Sequence, residues 1–117
     1  MSAPKPSEFE VTEYRYPRRR PGEYEQDPRS AILIHRTIPG ADVWAVRCLG
    51  ERLVRHGDRL RWVMEPRPSE RSESFVQRAT FTLAEVSAVI EARLAVDARE
   101  HERWQRKQAK RDAGGGA

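Results

Sequence analysis

The feature that most constrains this chain is a long helix signal that begins at Thr82 and changes character halfway. Thr82 followed by Glu85 at the third helical position spells a capping box, and Phe81 and Val86 are spaced for a hydrophobic staple. On a 100° wheel with Leu83 at zero, Val86, Ile90 and Leu94 lie within about 60° of it, with Val89 and Val96 as a shoulder. From about Asp97 to Asp112 the apolar residues give way to basic ones. A helix that opens as core and ends as a charged rod has a docked half and a presented half. The docked half needs a surface to lie on, and the preceding residues supply strands rather than helices.

Ser30–Arg36 holds Ala31, Ile32, Leu33 and Ile34 between turn signals, which predicts a strand buried on both faces. Ile38-Pro39-Gly40-Ala41-Asp42 reads as a turn. Val43–Leu49 follows as a strand with Trp44, Val46 and Cys48 on one face. Gly50-Glu51 suits a tight type II′ hairpin turn, after which Arg52–Arg55 pairs back. His56-Gly57-Asp58 makes the next turn. Arg59–Glu65 alternates most clearly, with Leu60, Trp62 and Met64 on the core side. Pro66-Arg67-Pro68 ends that strand, and residues 69–74 read as a polar loop. Phe75, Gln77, Ala79 and Phe81 alternate as a strand would, but Ser74 and Gln77 also fit the cap of a short helical turn with Thr80–Phe81 extended beyond it, the favoured reading.

Upstream, Phe9–Tyr16 alternates loosely as a strand, and Pro17 is expected to stop its ladder because proline lacks an N–H. Residues 17–30 then read as an exposed loop. The predicted fold is α+β: a small antiparallel sheet of three to five strands packed against one long C-terminal α-helix. Residues 1–8 are expected to be disordered, 9–98 to form a single domain, and 99–117 to be a basic helical extension with a flexible Gly-rich end. The expected core is Trp44, Val46, Leu60, Trp62, Met64, Phe81, Leu83, Val86, Ile90 and Leu94.

Charge gives the lead on function. Arg99, Arg103, Arg106 and Lys110 share one face of the helix, roughly opposite Leu83 and Leu94. Residues 103–111 hold five basic side chains and no acid. Arg99–Arg103, Arg103–Lys107, Arg106–Lys110 and Lys107–Arg111 are like-charge pairs at i,i+4, each costing an isolated helix about 0.2–0.5 kcal/mol. Only Glu102–Arg106 compensates in that spacing. A stripe of this kind suits phosphates or an acidic protein surface, although cations near a helix C-terminus also need no partner. Trp104 lies in the same stretch on the Val86 side, either as an interface anchor or folded back on the domain. Arg18-Arg19-Arg20, framed by Pro17 and Pro21, is a second basic cluster that could track a phosphate backbone, with Glu23, Glu25 and Asp27 close by to cancel its field.

The sequence carries no catalytic or metal-binding constellation, so the expectation is a non-enzymatic protein without cofactor. His35, His56 and His101 lack ligand spacing. Cys48, the sole cysteine, excludes an intrachain disulfide and fits a reducing compartment. The longest apolar run, Ala31–Ile34, is far too short to span a bilayer. The N-terminus lacks a signal-peptide core, so a cytoplasmic location without membrane contact is expected. The net charge of +4 permits nucleic acid without demanding it.

Trp62-Val-Met-Glu65-Pro66-Arg-Pro68-Ser69-Glu-Arg71-Ser72, then Phe75, then Phe81-Thr82-Leu83-Ala-Glu85, resembles small uncharacterised proteins of actinobacteria and their phages. The resemblance covers residues 43–95. It implies an α+β domain of mobile-element origin and no particular activity. The leading expectation is a small accessory protein that contacts nucleic acid through Arg99, Arg103, Trp104, Arg106, Lys107 and Lys110, helped by Arg18, Arg19 and Arg20. The alternative is a protein-interaction or inhibitor module that uses the same residues on an acidic protein surface.

Overall fold

A computed structural model describes residues 2–22 and 27–114. Five strands run β1 Glu13–Arg19, β2 Ala31–Arg36, β3 Trp44–Cys48, β4 Glu51–His56 and β5 Arg59–Met64, followed by α1 Glu73–Arg78 and α2 Leu83–Gly114. The strands form one antiparallel sheet in the order β1-β2-β3-β4-β5. The fold is therefore α+β, a five-stranded meander packed against one long C-terminal helix.

Alternation explains the two faces. Ile34 opposes Val46 and Leu53 opposes Trp62, so these side chains share one face with Ile32, Trp44 and Cys48. Val86, Ile90 and Leu94 of α2 close on that face in one core cluster. The opposite face carries Arg47, Arg52, Val54 and Val63 and is covered at β4 by α1. Val54 and Ala79 are buried there.

Several boundaries differ from the sequence reading. β1 begins four residues later than expected and runs through Pro17. Pairing shifts by two residues between Arg15 and Arg19, and β1 is an edge strand, so Pro17 breaks no ladder that the sheet needs. Pro6–Glu8, in the segment expected to be disordered, forms one exposed 3-10 turn. The β3–β4 turn is Leu49-Gly50, flanked by the Cys48–Glu51 pair, and both central residues have positive φ (51° and 75°). That is the type I′ pattern rather than the expected type II′. Ser72, not Ser74, caps α1 by accepting the Phe75 N–H at 3.0 Å.

Two expected core residues are outside it. Met64 is 84% exposed because β5 is an edge strand and Met64 sits at its far end. Leu83 is 38% exposed because the first helical residue precedes the part of α2 that crosses the sheet. Leu60 and Trp62 are half-buried against the cluster. Phe81 forms an isolated bridge with Trp44, both hydrogen bonds being 2.8 Å, and so occupies the place beside β3 that β4 leaves vacant. Among the described residues no helix is long and apolar enough to cross a membrane.

Candidate partner-binding surface

The last buried residue of α2 is Asp97. Beyond it the helix continues to Gly114, a projection of about 25 Å at 1.5 Å per residue. Its root is fixed by a polar cluster. Asp97 accepts from the Trp62 indole at 3.0 Å and from Arg93 Nε at 2.9 Å, while Arg20 Nε lies 3.9 Å away. Arg93 also donates to the Leu60 carbonyl at 3.0 Å and pairs with Glu100 at 3.3 Å. The His101 ring lies over Gly22, so closely that a Cβ at position 22 would meet it at 2.9 Å.

Past this root a single ion pair is formed among the described residues. Arg106 pairs with Glu102 at 3.5 Å, both well exposed. Among the described residues, Arg99, Arg103, Lys107, Lys110 and Arg111 make no ion pair or side-chain hydrogen bond. Trp104 does not fold back on the sheet. It is 56% exposed and stacks on His101 with ring centroids 5.8 Å apart. Asp97, His101 and Trp104 continue the core-facing line of α2 past the end of the sheet, where nothing is left to cover it.

Arg99 and Arg103 also wall a groove of about 690 Å³ between β5 and α2, whose other cations are Arg59, Arg61 and Arg93 and whose acids are Asp58 and Glu100. The basic surface thus extends from the rod onto the sheet edge. Periodicity along the helix could not reveal this extension, because Arg59 and Arg61 belong to a different element.

The Arg18–Arg20 cluster is placed differently from expectation. Arg18 pairs with Glu91 at 2.6 Å, and Tyr16 donates to the same carboxylate at 2.5 Å. Burial, with the Glu91 hydrogen bond and charge added, pushes the Tyr16 phenol up to about 12. Arg19 donates to the Asp27 carbonyl at 2.9 Å and to the Ser30 hydroxyl. Arg20 pairs with Glu51 at 2.8 Å and covers the Trp62 ring at 4.8 Å. Burial alone would lower the Arg20 pKa, but the hydrogen bond and charge of Glu51, joined by the charge of Asp97, act the other way and the pKa is raised. These arginines therefore clamp β1 to the helix and the sheet instead of presenting an extended cation run. Glu23 and Glu25 lie outside the described residues.

No family model, curated protein or solved structure matches this chain.

One cluster on the opposite face was not legible beforehand. Glu65 Oε1 accepts from Arg47, Arg52 and Arg71 at 3.0, 3.2 and 3.1 Å. Arg52 is buried with its Nε unpaired, and its guanidinium lies over the Phe75 ring at 5.5 Å. Burial lowers its pKa, the Glu65 charge opposing the shift. The cluster fastens the loop before α1 to β3 and β4. Among the described residues no group of three or more His, Cys, Asp or Glu is placed to hold a metal ion.

Proposed function

We propose that this chain is a non-enzymatic accessory protein of the cytoplasm that contacts nucleic acid through the distal half of α2. The carrying observation is the run of unpaired cations on the rod, Arg99, Arg103, Lys107, Lys110 and Arg111, next to a domain whose other arginines are largely paired. Like charges at i,i+4 cost helix stability, and a polyanion offsets that cost. Nucleic acid supplies charge at high density, and its condensed counterions add the entropy of their release. The projecting geometry keeps the rod clear of the sheet, so a backbone can pass along it.

The exposed Trp104 favours a second reading, an acidic protein surface with the indole as anchor. Salt dependence separates the two. Fluorescence anisotropy with a labelled duplex and a labelled single strand, at several salt concentrations, is the test. Phosphate binding falls linearly in log salt, by about 0.9 per contact for B-DNA and about 0.7 for a single strand. The triple variant Arg103→Glu, Arg106→Glu, Lys110→Glu should flatten that slope by two to three contacts' worth. Binding that is absent, or indifferent to this variant, overturns the reading.

A further inference from the structure

The free edge of the sheet is β5, and its surroundings are unusual. The other edge, β1, is interrupted by Pro17 and a two-residue register shift, so it offers no regular ladder. β5 is regular, with six consecutive pairs to β4 from Glu51–Met64 to His56–Arg59. The Gly57-Asp58 turn makes His56–Arg59 the closing pair of a two-residue hairpin, and Glu65 N–H reaches Gly50 O at 3.1 Å. This parity turns the backbone groups of Arg59, Arg61 and Val63 toward β4 and those of Leu60, Trp62 and Met64 outward. The Leu60 carbonyl, taken by Arg93, confirms the outward set. Among the described residues, no other strand lies beside this edge and no side chain bonds the backbone of Trp62 or Met64.

A groove flanks this edge on each face. On the α2 side are Arg59, Arg61, Arg99 and Arg103, with Asp58 and Glu100 in the same groove and Arg93 already paired to Asp97 and Glu100. On the α1 side, a groove of about 440 Å³ is lined by Val54, Val63, Met64, Pro66 and Phe75, with His56, Arg61 and Arg78 and no acid at all. A strand added to β5 would send alternate side chains into the two grooves. One groove is cationic and the other largely apolar.

We infer that β5 is a docking edge for an extended segment of a partner protein in which acidic and aliphatic residues alternate. Main-chain hydrogen bonds to the Leu60 N–H and to the backbone of Trp62 and Met64 hold the strand. Its carboxylates face Arg99 and Arg103, and its aliphatic side chains lie on Val63 and Phe75. A second copy of this chain is a poor occupant, because a β5–β5 pair sets the same arginines against one another. This surface adjoins the rod at Arg99 and Arg103 but does not depend on the nucleic-acid reading.

The probe is a fluorescein-labelled peptide of four Glu-Val repeats, compared with one of four Lys-Val repeats. Amide hydrogen exchange is followed on the full chain. The inference requires saturable binding of the Glu-Val peptide, none of the Lys-Val peptide, and slowed exchange at the Leu60, Trp62 and Met64 amides. Met64→Pro removes one outward N–H while sparing the β4 ladder, and should weaken binding about tenfold or more without changing the circular dichroism spectrum. If that variant misfolds, the exchange pattern of the wild-type chain decides alone. Arg106→Glu with Lys110→Glu should leave peptide affinity unchanged while weakening nucleic-acid binding, so the two proposals fail separately. Equal binding of both peptides, no binding, or protection located elsewhere overturns the docking edge.

Discussion

Asp42 Oδ1 accepts the backbone N–H of Leu83 at 2.8 Å, across 41 residues of sequence. The same oxygen accepts the Trp44 indole N–H at 2.8 Å. Thr82, the expected cap, contributes differently: its own N–H donates to Glu85 Oε1 at 2.8 Å, and its carbonyl, not its hydroxyl, receives the Glu85 N–H at 3.2 Å. Only half of the capping box is formed, and a loop residue completes the helix start. Asp42→Ala should therefore cost about 1–2 kcal/mol, in the range of a lost cap, and Thr82→Ala distinctly less. Chemical denaturation of both variants checks the order; a larger loss at Thr82 would restore the local cap.

Ile90 and Leu83 make a second comparison. Ile90 is fully buried under the sheet, whereas Leu83 is 38% exposed. Ile90→Ala should cost about 2–5 kcal/mol. Leu83→Ala should stay within about 0.5 kcal/mol. Equal losses by denaturation would show that α2 is rotated from the register described.

Asp97 should be the most sensitive polar position. It is buried and accepts from Trp62 and Arg93. Asp97→Ala leaves the Trp62 indole N–H and the Arg93 Nε–H without their acceptor, each such loss costing about 1–3 kcal/mol. Asp97→Asn keeps one acceptor oxygen and should be milder. The thermal midpoints, measured side by side, should fall in the order wild type, Asn, Ala.

Tyr16 links stability to alkaline pH. Its pKa is raised to about 12 in the fold, from 10.0. The folded state holds the proton more tightly, so this contribution is complete below pH 10 and is lost as pH rises toward 12. Denaturation midpoints should fall across that window. Tyr16→Phe should remove this component of the decline, and an unchanged pH dependence in that variant would assign it to another group.

Truncation separates folding from function. Ending the chain after Glu102 keeps Asp97 and the His101–Gly22 contact and removes only exposed residues of α2 apart from half-buried Gln108. The truncated chain should unfold cooperatively with little loss of midpoint, yet lose nucleic-acid binding. Loss of the fold would give the rod a structural part.

The sequence by itself determined the helix, its docked and presented halves and most of the strands, because each rests on a local period. Val86, Ile90 and Leu94 repeat at helical spacing, Trp44, Val46 and Cys48 at strand spacing, and these periods survive in the structure. The unpaired row Arg99, Arg103 and Lys110 was legible for the same reason. Tertiary structure alone decided what each charge meets. Arg18, Arg19 and Arg20 read as a loop cluster offset only by neighbouring acids, because Glu91, Ser30 and Glu51 are separated from them in sequence. Asp42 caps α2 because the β2–β3 turn lies beside the helix start. Met64 alternates like a core residue but lies on an edge strand, and strand order is not written in the period of any one strand. The two grooves beside β5 likewise exist only because a meander places its last strand at an edge, between two helices on opposite faces.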